Sequence, residues 1–156
     1  MASNYDLYTA AKRKLLEELQ LVIDDIVDRH ISLGMKASGD FIKSLEIRET
    51  ELGAQIWGAD YTKYLVNGRG PGKMPPKDNI VKWLMDKFGY DEKTAEKIAF
   101  PVRKKIAKEG TKWHNEESKL IDAVLNDERI EKILDKLRII LINFVRLELN
   151  QMMTTA

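Results

Sequence analysis

The chain has 156 residues, 33% of them charged and 44% hydrophobic, a composition that excludes collagen-like and low-complexity classes and supplies ample material for a core. With 26 Lys and Arg against 25 Asp and Glu the net charge is +1, so no overall field advertises a nucleic-acid or membrane partner. Cysteine is absent, which rules out disulfides, thiolate zinc sites and cysteine nucleophiles.

At this length a single domain over residues 1–156 is expected. Its pattern is α+β, with long N- and C-terminal helices packed with a small antiparallel β-hairpin and a central helical segment. Residues 1–14 carry Asp6 and three basic residues before any apolar run, which is not the layout of a secretory signal. The longest continuous apolar stretch, Ile139 to Ile142, is far below the roughly 18 residues of a membrane span. Neither export nor membrane insertion is expected.

The first helix is predicted at about 6–33, where Leu16, Leu19, Ile23, Ile26, His30 and Leu33 recur at spacings of three and four and Gly34 stops the run. Ser38-Gly39-Asp40 caps a short turn through Phe41. Alternation in Leu45-Glu46-Ile47-Arg48-Glu49 and again in Ala54-Gln55-Ile56-Trp57-Gly58, with Gly53 at the bend, predicts a hairpin at about 44–58. A short helical turn through Tyr61, Tyr64 and Leu65 leads into a loop at 67–76 that holds three of the four prolines. Glycine there permits positive φ while proline fixes φ, so the loop should be irregular yet stiff, suited to presenting groups to a partner.

Helices follow at about 78–88 and 91–109, the second with a kink or restart at Pro101, and then at 120–125 and 128–152. In the last of these, Ile130, Leu134, Leu137, Leu141 and Phe144 form one stripe while Ile139, Ile142 and Val145 sit on another side. A small domain buries one face of a terminal helix, so the second apolar face points to a subunit contact, with burial between two layers of the same chain as the alternative.

Charge is uneven along the chain. Residues 1–61 carry 7 basic and 11 acidic side chains, residues 62–113 carry 13 and 6, and residues 114–156 carry 6 and 8. A basic middle between acidic ends fits a phosphate groove, a docking patch for an acidic protein, or self-complementary surfaces that meet between subunits.

No catalytic signature stands out. Three residues, not four, separate Gly68 from Gly72, and Met74 follows Lys73 where a P-loop needs Ser or Thr. His30 and His114 are the only histidines and lack metal-ligand spacing. Asp24-Asp25 and Glu116-Glu117 are adjacent pairs that point apart on a helix, and no serine sits in a Gly-x-Ser-x-Gly elbow. No enzyme, metal site or cofactor is expected. Arg69, Lys73, Lys77 and the Arg103–Lys108 cluster offer phosphate contacts, with Tyr61, Tyr64 and Trp83 available to stack bases, although the helical spacing of Tyr64 and Trp83 favours packing.

The order Ser38-Gly39-Asp40-Phe41-x-x-Ser44-Leu45, a hairpin, then Tyr61-x-x-Tyr64-Leu65-Val66-Asn67-Gly68-Arg69-Gly70-Pro71-Gly72-Lys73-Met74-Pro75-Pro76 with Ile80 and Trp83 resembles the tail-completion or neck proteins of tailed bacteriophages. The stretch from Ala99-Phe100 to Gly110-Thr111 is similar to the helix that follows in that family, and the resemblance covers about half the chain. It implies an α+β subunit without catalysis, assembled as a homo-oligomeric ring below the portal in the virion neck, put together in the host cytoplasm and touching portal or adaptor, tail proteins and, transiently, passing DNA.

The assembly contacts are accordingly placed at Tyr61, Gly68, Arg69, Gly70, Pro71, Gly72 and Lys73, at Arg103, Lys104 and Lys105, and at Ile139, Ile142 and Val145. The runner-up is a small cytoplasmic nucleic-acid-binding or regulatory protein that uses the basic middle.

Overall fold

The structure, a computed structural model, describes residues 4–154. In chain order the elements are α1 (Asn4–Ser32), α2 (Asp40–Ser44), β1 (Glu46–Glu49), β2 (Ala54–Trp57), α3 (Thr62–Asn67), α4 (Lys77–Phe88), α5 (Glu92–Glu109), α6 (Lys112–Asn115) and α7 (Asp127–Thr154). The fold is α+β, dominated by helix, with long terminal helices and one two-stranded antiparallel sheet. Contacts gather into two compact units: the first holds residues 1–25, 46–57 and 122–156, the second residues 26–45 and 58–121.

In the first unit the opening part of α1 lies antiparallel to α7, since Asp25 meets Arg129 at 2.8 Å while Glu18, earlier in α1, meets Lys136, later in α7, at 2.8 Å. Val22, Ile23 and Ile133 are buried there. The hairpin attaches to the start of α1 through Lys12 and Glu49 at 2.7 Å and through the Tyr8 hydroxyl, which donates to the Glu51 carbonyl. Its register sets Ile47 opposite Ile56, a cross-strand apolar pair on one face, and the Thr50 amide donating to the Gly53 carbonyl closes the bend at the predicted glycine.

In the second unit α4 and α5 pack through Val81, Leu84, Ala95 and Ala99, with Ile80 and Ile98 at the edge. Small residues on α5 let the two backbones approach. Gly89, at φ 69, ends α4, and the Asp91 carboxylate accepts from the Thr94 amide to start α5. The end of α1 brings His30 against Phe41, ring centroids 4.6 Å apart.

Pro101 does not divide α5, which continues as one 18-residue helix. Pro101 is exposed, so the carbonyl deprived of its amide donor lies on the side where water is available. The helix expected at 120–125 is absent and turns take its place. Tertiary contacts hold the entry to this stretch in a non-helical path: Arg29 donates to the carbonyls of Ser118 and Lys119, the Ser118 hydroxyl donates to the Val66 carbonyl, and Lys119 holds φ 48. Conversely, α6 forms where a polar connector was expected, with the His114 amide closing on the Thr111 carbonyl.

Candidate functional site

The loop between α3 and α4 is fastened along its length. The Arg69 amide donates to Thr111 Oγ1 and the Thr111 amide donates back to the Arg69 carbonyl, both at 2.8 Å. Further along, the Gly72 amide reaches the Ala107 carbonyl at 2.8 Å and Arg103 Nε reaches the Pro75 carbonyl at 2.7 Å. Arg69 Nη2 spans the loop to the Lys73 carbonyl at 2.6 Å. Two arginines thus satisfy loop carbonyls, a use to which their fixed fork is suited.

His114 explains the glycines. A Cβ on Gly68, which holds φ +67, would fall 2.1 Å from the His114 amide nitrogen; on Gly70 it would sit 3.2 Å from the imidazole; and on Gly110, at φ +78, it would meet the Arg69 carbonyl at 2.7 Å. The loop backbone therefore rests on α6 and on the end of α5, and it does so only without side chains at these points.

The expected assembly residues consequently differ in what they offer. Arg69 and Arg103 are half-buried and each is held in place by a bond to a loop carbonyl, which fixes the side chain and leaves its charge without a carboxylate partner among the described residues. The amide of Gly72, one of the expected contact positions, is already bonded to the Ala107 carbonyl. Pro71, Lys73 and Met74 remain exposed at the loop's outer edge. Lys104 and Lys105 are exposed on α5, with no carboxylate within 4 Å among the described residues.

Tyr61 belongs to a different feature, a cavity of about 430 Å³ that it lines with His30, Phe41, Leu65, Lys82 and Trp83. Burial, reinforced by Asp40, pushes its hydroxyl pKa up. Burial likewise holds His30 below the ordinary imidazole value, with Lys87 adding to the effect, so the neutral ring is favoured; its Nδ1 has no hydrogen-bond partner.

Ile139, Ile142 and Val145 lie in the first unit, away from the loop in sequence, and are 55%, 49% and 46% exposed. They are not isolated, because Leu141, Leu147, Leu149, Met152 and Met153 of the same helix are also exposed. An apolar groove in this unit, lined by Leu7, Tyr8, Ala11, Leu134, Leu137 and Leu141, continues the surface.

Among the described residues no group of three His, Cys, Asp or Glu side chains can hold a metal ion, and no helix is long and apolar enough to cross a membrane. No protein-family model matches the chain, and it matches neither a curated protein nor a solved structure.

Sequence reasoning missed His114 and Thr111, which hold the loop, because a polar stretch carries no periodic signal. Glycines closely spaced at 68–72 and again at 110 were the available hint, since bare backbone in two places suits a close approach, one that Gly68, Gly70 and Gly110 make and Gly72 does not.

Proposed function

We propose that this chain is a structural subunit of the tailed-phage virion neck, a head-tail connector or tail-completion protein that forms a ring and joins the portal to the tail. The observation that carries the reading is the exposed apolar surface of α7 from Ile139 to Met153, which leaves the isolated chain with an unburied helix face. The resemblance of residues 38–45 and 61–83 to neck proteins selects the neck among assemblies.

Two further features support it. The fastened loop keeps Pro71, Lys73 and Met74 in a fixed arrangement at low entropic cost on docking. Charge also divides by unit: the first carries 9 Lys and Arg against 14 Asp and Glu, the second 17 against 11. Unlike surfaces on one subunit are what a head-to-tail contact requires, and such contacts close into rings when the rotation is right.

The test is the mass of the purified chain by light scattering, alone and with portal protein added. A defined multimer, alone or only on the portal, supports the neck reading. A monomer indifferent to the portal refutes it and favours the small nucleic-acid-binding or regulatory protein.

A further inference from the structure

We infer that the outward face of α5 is a sequence-independent binding surface for a nucleic-acid phosphodiester backbone. Lys93, Lys97, Phe100, Lys104 and Lys108 fall within an arc of about 80° at 100° per residue, and the lysines span about 22 Å of helix. The opposite side of α5 packs through Ala95 and Ala99, so the stripe faces away from the unit's core. All four lysines are exposed, and Phe100 between them is 59% exposed.

What sets these lysines apart is their alignment: four fall in register along one exposed face of a single helix, and none of the four has a carboxylate within 4 Å among the described residues. Other helix lysines carry a carboxylate partner, as Lys77 does with Glu96, Lys82 with Asp86 and Lys132 with Glu128, and the unpaired ones outside α5, such as Lys36 and Lys43, form no such row. On α5, four like charges at spacings of one or two turns repel one another unless an external anion neutralises them.

The chemistry of that anion follows from three features. Lysine is a point charge that lacks the bidentate fork of arginine, which suits attraction to a backbone rather than reading of bases or of a single phosphate group. A second copy of the chain offers less than its net charge suggests, because six of the fourteen carboxylates of its acidic unit, Glu18, Asp25, Glu49, Glu128, Glu131 and Asp135, already have cations within 4 Å. An anionic membrane is also poorer, since one phenylalanine provides no apolar face to insert. A polyanion brings regularly spaced charges and gains the entropy of released counterions. Phe100, in the middle of the stripe, offers a ring on which an unpaired base can stack.

The stripe does not depend on the neck assignment, and its test is separate from the mass measurement. Fluorescence anisotropy with a labelled 30-base-pair duplex and with a 30-nucleotide single strand, over a salt series, reads the number of phosphates engaged. Four contacts predict a slope of log K against log salt of about −3.6 for duplex and about −2.8 for single strand. The double substitution Lys97→Gln with Lys104→Gln should roughly halve the slope. Lys36→Gln with Lys43→Gln, which changes net charge equally at exposed positions outside α5, should leave it unchanged. Phe100→Ala should weaken the single strand about tenfold or more and the duplex little, if the ring stacks on a base. Far-ultraviolet circular dichroism of each variant verifies folding. Equal slopes for the two double variants, or binding to phosphatidylserine vesicles without binding to DNA, would overturn the proposal.

Discussion

The two units differ in what their long helices leave at the surface, apolar side chains on α7 and lysines on α5. In the first, carboxylates are answered from within: Glu18, 2% exposed, sits between Lys14 and Lys136, Asp25 meets Arg129, and Glu49 meets Lys12, while leucines and isoleucines of α7 are left outside. In the second, α4 and α5 pack through Val81, Leu84, Ala95 and Ala99, the arginines serve main-chain carbonyls, and the lysines along the outward face of α5 have no ionic partner among the described residues. Association through the first unit should therefore rest on apolar burial and tolerate salt, whereas association through the second should weaken as salt screens it.

Several substitutions sharpen this contrast. The largest effect is expected at Gly68 in the second unit. Gly68→Ala places a methyl group against the α6 backbone at a positive φ, and urea denaturation should show a loss of about 3 to 4 kcal/mol. Gly72→Ala, where φ is +142 but the space is open, should cost less, about 1 to 2 kcal/mol. If the two cost the same, the packing of the loop on His114 is not what requires glycine.

In the first unit, Lys136→Ala removes the closer, bidentate partner of a buried carboxylate and leaves Lys14 at 3.3 Å. Because Lys136 itself is half exposed and one cation remains, a loss of about 1 to 3 kcal/mol is expected by chemical denaturation. Thr111→Val in the second unit strips the acceptor from the Arg69 amide and should cost about 1 to 2 kcal/mol.

Acid resolves the units more gently. Hydrogen bonding from Lys136, opposed by burial and aided by Lys14, holds Glu18 below its ordinary 4.5, so the stability it contributes is present above that value and is lost as pH falls through the folded-state pKa. His30, depressed by burial, also favours the folded state at higher pH: below 6.5 the unfolded chain takes up the proton first and stability declines. Melting from pH 8 to 5 should therefore show a modest loss that His30→Phe removes. A melting temperature flat across that range would assign His30 no such role.

Much of the fold was legible in residue spacing. The three- and four-residue recurrence from Leu16 to Leu33 marked α1 to within a residue or two, alternation about Gly53 marked the hairpin, and clustered glycine and proline marked the loop. Local pattern failed where distant groups decide the backbone. Leu120 to Leu125 reads as helix, yet Arg29 takes the carbonyls of Ser118 and Lys119. Lys112 to Asn115 reads as connector, yet the loop rests on it. Arg69 looked like a surface contact because a basic residue in a glycine-rich loop has the same signature whether it faces a partner or its own carbonyls. The exposed apolar side of α7 was only partly visible in advance: Ile139, Ile142 and Val145 lie off the main stripe, but Ile130, Leu134 and Leu141 of the stripe itself are exposed as well, and Ile133 beside it is the buried residue.

The claim that assembly runs through the apolar face of α7 is tested most directly by light scattering of the wild-type chain and Ile142→Glu, each at low and high salt, with and without portal protein. The account predicts a wild-type multimer, alone or on the portal, that persists at high salt and is lost in Ile142→Glu. A multimer that dissolves at high salt while surviving Ile142→Glu would contradict it and move the contact to the charged surfaces of the second unit.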